Sequence, residues 1–147
     1  MYGDTAGGRR RVAQLREQGG DIRAAASRLV AQAEAVPWHG KAAESMRTRI
    51  KDRANHLRAA AAQHETAAES LAAHLGEVDS LKDAIETRSH RVTGLVEDAR
   101  TRVSQAPDGS APDGIAPERD DTEAALLAFD PPPAGHRDWL TVDLPGI

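Results

Sequence analysis

Apolar and small residues return along the first part of this chain at alternating intervals of three and four. Val12, Leu15, Gly19, Ile22, Ala26, Leu29, Ala33 and Val36 fall on one stripe of a helix, with Arg16, Glu17, Arg23 and Arg28 outside it. A second run opens near Lys41 and keeps a near-heptad phase to Val103. Ala43, Met46, Ile50, Leu57, Ala60, His64, Ala67, Leu71, Leu75, Val78, Leu81, Ile85, Val92, Leu95, Ala99 and Val103 belong to it, and Arg53 and Arg88 are exceptions on the stripe. Between the runs stands Val36-Pro37-Trp38-His39-Gly40. Pro37 biases Val36 out of the helical region, and Gly40 has access to backbone angles closed to other residues, so the chain reverses here. The pattern predicts an all-α protein built on an antiparallel helical hairpin.

The two runs are unequal. At about 1.5 Å per residue the stretch 9–36 spans ~42 Å and 41–104 spans ~96 Å, so the first covers less than half of the second. Either the excess protrudes and packs on another chain, or the run breaks near Gly76 and folds back from Asp79-Ser80 as a third helix. Continuity of phase through Gly76 favours one long helix. In the first run Gly19-Gly20 costs roughly 1 kcal/mol per residue relative to alanine, which predicts a kink there or a stable start at Asp21, a good N-cap.

Residues 1–8, small and polar with Gly7-Gly8, read as a flexible lead-in, 9–104 as the hairpin, and 105–147 as an acidic tail. Charge separates the last two: residues 1–104 carry 17 basic and 14 acidic side chains, net +3, whereas 105–147 carry 2 and 9, net −7. Pro107-Asp108-Gly109 through Gly114 lacks the apolar content to order itself and reads as a disordered linker. Within the tail, Asp121-Thr122-Glu123-Ala124-Ala125-Leu126-Leu127-Ala128-Phe129 predicts two helical turns stopped by Pro131-Pro132-Pro133. Trp139-Leu140-Thr141-Val142-Asp143-Leu144 reads as extended. Leu126, Leu127, Phe129, Trp139 and Asp143 either dock on the parent hairpin or form partner-binding motifs that order on contact.

Composition narrows the chemistry. Aromatics make up 3% of the chain and cysteine is absent, so neither a thick aromatic core nor a disulfide framework is available. Small-residue helix interfaces remain. No run of 18 apolar residues and no basic-then-apolar N-terminus occurs, so neither stable membrane insertion nor ordinary secretion is expected. His64-Glu65-Thr66-Ala67-Ala68 opens like the zinc-protease helix, but Ala68 stands where the second ligand is needed. His56, His64 and His74 are too far apart for neighbouring turns, so no metal is expected, nor any cofactor or small-molecule substrate. Arg9-Arg10-Arg11 and the group Arg47, Arg49, Lys51, Arg53 lack the net charge and stacking aromatics of a nucleic-acid platform. They read as solvated helix surface. No catalytic arrangement is expected.

Trp38 is the best-specified side chain. It either plugs the end of the hairpin with its N–H bonded to a partner, or stays exposed on the turn as part of a recognition surface. With Trp38-His39-Gly40 set between two Ala/Leu heptad runs and followed by Lys41-Ala42-Ala43-Glu44-Ser45-Met46-Arg47, residues 9–104 resemble the WXG-motif proteins of actinobacterial type VII secretion systems. They also resemble the related helical-hairpin leader domains of larger type VII secreted toxins. The resemblance implies a non-enzymatic hairpin that pairs, as a homodimer or heterodimer, into a four-helix bundle. It further implies recognition by the secretion ATPase and export by a non-Sec route, from a cytoplasmic pool. Trp38 and Gly40 would then present the turn, with Leu15, Ile22, Leu29, Leu57, Leu71 and Leu75 as core or interface anchors. The family's export signal adds a Tyr-x-x-x-Asp/Glu element after the second helix. Here the one tyrosine, Tyr2, is followed four residues on by Ala6, and Trp139 with Asp143 offers an aromatic and an acid at that spacing. The alternative from another class is a cytosolic coiled-coil adaptor or chaperone whose tail recruits a partner protein.

Overall fold

The computed structural model describes residues 4–105 and 121–147, and within them the protein is helical with no strand. Tyr2, two of its neighbours and the linker read at 107–114 lie outside the described residues. Helix α1 runs Thr5–Ala35, α2 runs Lys41–Gln105 and α3 runs Asp121–Leu127, followed by a short 3-10 helix at Arg137–Thr141. The expected hairpin is present. α2 is one continuous helix of 65 residues, and neither Gly76 nor Gly94 interrupts it. The chain divides into two compact units, one ending at Val78 and the other beginning at Asp79.

In the first unit, α1 starts at Thr5 rather than at Arg9, so the expected lead-in is helical from that point. Asp4 explains the early start: its side chain accepts from the backbone N–H of Ala6 at 2.9 Å, satisfying one of the donors that a helix N-terminus leaves orphaned. Gly19-Gly20 neither kinks nor delays the helix. Gly19 is buried, and a Cβ built on it would stand 3.2 Å from the carbonyl oxygen of Ala61 in α2. Its cost to the helix is offset by the close approach it allows. Val36, at φ −71° and ψ 120°, leaves the helix as the following proline requires.

The buried seam of the hairpin consists of small residues. Val12, Gly19, Ala26 and Ala33 recur every seven residues on α1, and Ala54, Ala61 and Ala68 do so on α2, with Ala43 added near the turn. The period is the expected one and the phase on α2 is displaced. Leu57 and Leu71 flank the seam instead of forming it, and Ala67 is exposed. The displacement also explains Arg53, which lies beside the seam and not on it. Alanine loses no side-chain rotamers on burial, and small residues on both helices let the backbones come close, so many weak dispersion contacts accumulate along the pair.

In the second unit the apolar islands of the tail take the first of their two readings and dock on the parent helix, and the expectation of a disordered tail is corrected over 121–147. Residues 121–147 are ordered against 79–105 of α2 around Val92, Val96 and Ala99, which pack with Leu126, Trp139 and Val142. Ile85, Leu95, Phe129, Leu144 and Ile147 extend this core at its edges. α3 matches the two expected turns, whereas the stretch expected to be extended begins as the 3-10 helix. Composition is a poor guide here because a few large side chains, widely spaced in a polar sequence, all find one prepared apolar strip. Arg88, the second exception on the α2 stripe, donates to the carbonyl of Val142, and Arg91 donates to that of Gly146 at 2.7 Å. Arg102 pairs with Glu123 at 3.2 Å.

Candidate functional site

The turn at 36–40 is held by one side chain. Arg47 donates through Nε to the carbonyl of Ala33 at 3.2 Å and through Nη2 to those of Val36 at 2.9 Å and Trp38 at 2.8 Å. The last turn of α1 contains no basic residue of its own. Arg47 supplies from α2 the positive charge and the donors that the carbonyl end of α1 lacks. Two backbone bonds complete the loop, from Trp38 N–H to Val36 O at 2.8 Å and from Glu44 N–H to Gly40 O at 3.1 Å. Gly40 takes φ +102°, a conformation that side-chain-bearing residues rarely adopt. Close by, Lys51 pairs with Glu34 at 2.7 Å. The hydrogen bond and charge of Lys51 hold the Glu34 carboxyl below its ordinary range. That contact is therefore complete above the ordinary carboxylate pKa and fades as the pH falls through the lowered one.

On this fixed backbone the Trp38 side chain is 48% exposed, and Leu29 and Val36 are exposed as well. Of the two roles open to Trp38, a plug buried at the hairpin end is not the one adopted. A large apolar surface on a rigid loop is what a recognition element requires, since little ordering entropy remains to be lost on docking. His39 and Gly40 are exposed beside it.

The two long edges of the hairpin differ in kind. Arg23 and Glu65 bond at 2.8 Å, and each stands four residues after a seam residue, Gly19 and Ala61 respectively. The fourth-residue edges of α1 and α2 thus lie on one side, and the third-residue edges lie together on the other. That other side carries Leu15, Ile22 and Leu29 from α1 with Leu57 and Leu71 from α2. All except the exposed Leu29 are half-buried. Leu75 falls on the seam phase and closes against α1 at Gly8, where a Cβ would meet its Cδ2 at 2.6 Å. The expected anchors therefore divide: Leu75 belongs to the intrahairpin contact, and the others form an apolar stripe beside it.

The tail residues do not form a free motif. Leu126 and Trp139 are core, the latter 4% exposed, with its indole N–H donating to Pro133 O at 3.0 Å. Phe129 packs on Trp139 at 6.3 Å between ring centroids. Trp139 is enclosed and Asp143 is exposed, so the two do not share one exposed surface. Leu127 is exposed.

Among the described residues no group of three or more His, Asp or Glu is placed to hold a metal, and no helix is long and apolar enough to cross a membrane. His64 bonds through Nδ1 to the carbonyl of Ala60 at 2.9 Å, a local helix contact. The sequence reading of Arg47 as solvated helix surface is corrected, since it is half-buried and bonded to the turn, and a signal for this exists. Seven residues before Ala54, it occupies the phase that alanine fills at 54, 61 and 68, and an arginine on a buried phase beside a turn implies unsatisfied carbonyls nearby. The chain matches no protein-family model, no curated protein and no solved structure.

Proposed function

We propose that this protein is a non-enzymatic helical-hairpin component of a type VII secretion system, itself a substrate or the pairing partner of one. Its work is recognition. The apolar stripe beside the alanine seam receives a second helical hairpin, and the Trp38-His39-Gly40 turn is offered to the export machinery, with its ATPase as the natural reader. The observation that carries this reading is the exposed Trp38 on a turn whose backbone Arg47 fixes at three carbonyls. A tryptophan left half-exposed at that position forgoes part of the roughly 1.5–3 kcal/mol that full burial of a large apolar side chain supplies, and a fixed loop that does so is best explained by a docking role. Against the adaptor alternative stands the packing of Leu126 and Trp139 of the tail in the protein's own core.

Expression in an actinobacterial host with an active type VII system tests the proposal. The wild-type chain is expected in the culture filtrate, and to be lost from it in an isogenic strain lacking the secretion ATPase. Trp38→Ala is expected to stay in the cells while its helicity, read by circular dichroism, is unchanged. Equal filtrate levels with and without the ATPase would sink the reading.

A further inference from the structure

The apolar stripe of the hairpin has a rim of one charge. The positions next outward from it are those immediately before each seam residue. Arg11 precedes Val12 and Arg53 precedes Ala54, both exposed, and the remaining positions of this kind hold glutamine, alanine, methionine or histidine. Neither they nor the stripe itself carries a carboxylate between residues 9 and 78. The acids of the same stretch stand elsewhere, Glu65 on the opposite edge with Arg23 and Glu34 against Lys51. Arg11 and Arg53 have no ion-pair partner among the described residues.

We infer that the stripe bearing Leu15, Ile22 and Leu57 is closed by a different helical chain whose rim carries carboxylates, and not by a second copy of this one. The inference rests on the pairing proposed above and names the chemistry of the partner. A symmetric pair of identical copies sets an all-cationic rim against another, with no acid to answer either guanidinium. Like charges at the edge of an apolar contact, where water is being excluded, select against that pair more strongly than they weaken the contact itself. A rim of aspartate or glutamate reverses the sign at the same positions. The apolar contact then supplies affinity, and the rim supplies the choice of partner.

A charge-inverted copy of the full chain serves as the probe. Arg11→Glu/Arg53→Glu changes two exposed side chains outside the seam, and circular dichroism checks that its helicity equals that of the wild type. Sedimentation of each chain alone and of a 1:1 mixture, at low salt and again at about 0.5 M where the Debye length is only several ångströms, gives the association constants. The mixture is expected to associate at least about tenfold more tightly than either chain alone at low salt, with the advantage shrinking in high salt. Wild type that self-associates as tightly as the mixture overturns the inference and leaves pairing intact. No association in any combination overturns the pairing reading and the inference with it. The neutral variant Arg11→Gln/Arg53→Gln gives an independent reading without mixing. It is expected to self-associate about tenfold more tightly than wild type at low salt, and unchanged self-association counts against a charge-selected partner.

Discussion

At the scale of single residues, Arg47 and Trp38 form a pair of cause and display. Arg47→Ala removes three hydrogen bonds from the carbonyls of Ala33, Val36 and Trp38, of which Val36 keeps the Trp38 N–H, and is expected to cost about 1–3 kcal/mol, discounted toward the lower figure because the site is partly solvated. Amides at 36–40 are expected to exchange faster while the seam stays protected, which hydrogen exchange measures directly; unchanged exchange at the turn would show that the loop holds itself. Arg47→Lys is expected to recover little, since a single ammonium cannot span three acceptors as a planar guanidinium does. Trp38 is legible in the sequence as the special residue of the turn, but its exposure is not. Exposure depends on what fixes the loop, and the fixing residue lies nine positions further on, in the other helix.

At the scale of elements, the heptad period is fully legible and its phase on α2 is not. Leucine dominates any hydrophobicity count, so the stripe drawn through Leu57 and Leu71 passes one position away from the alanines that α1 touches. In an antiparallel pair of close helices the smallest residues take the centre and the larger ones move to the flanks. The glycines follow the same geometry. A Cβ added at Gly20 or Gly76 would meet nothing within 4 Å, whereas one on Gly19 meets the Ala61 carbonyl at 3.2 Å. Gly20→Ala and Gly76→Ala are each expected to raise stability by about 0.5–1 kcal/mol, the helix-propensity difference, and Gly19→Ala is expected to lower it by forcing the helices apart. Urea unfolding midpoints distinguish the signs, and a stabilising Gly19→Ala would refute a seam too tight to admit the extra methyl beside the Ala61 carbonyl. The tail misleads for a related reason. Its apolar islands read either as docked segments or as partner motifs, and only the strip of Val92, Val96 and Ala99 on a distant part of the chain makes Leu126 and Trp139 core residues.

At the scale of the molecule, one helix serves two units with different kinds of core. Up to Val78 its partner is α1 and the contact is made of alanine; from Asp79 onward its partners come from 121–147 and include the chain's one phenylalanine and its second tryptophan. Removing residues 106–147 uncovers Val92, Val96 and Ala99 and leaves 79–105 as a helix without a packed face, which is marginal in water. The truncated chain is expected to lose protection against hydrogen exchange at 85–103 and to keep it at 12–71. Equal protection in both stretches would show that the long helix stands without its second set of partners. The same removal strips away most of the net negative charge, since 105–147 carries net −7 against +3 for the remainder. The full-length and truncated proteins therefore differ in the sign of their net charge.

The Arg47 contact has a temporal meaning as well as a geometric one. Its guanidinium belongs to α2 and its acceptors to α1 and the loop, so the turn acquires its shape only after the second helix has formed and closed on the first. A chain emerging from the ribosome with α1 alone shows the same indole on an unfixed peptide, and docking that peptide costs the entropy of ordering it. Anything that binds the finished turn thereby grades its clients by completion, discriminating against half-made chains before it reads any other feature.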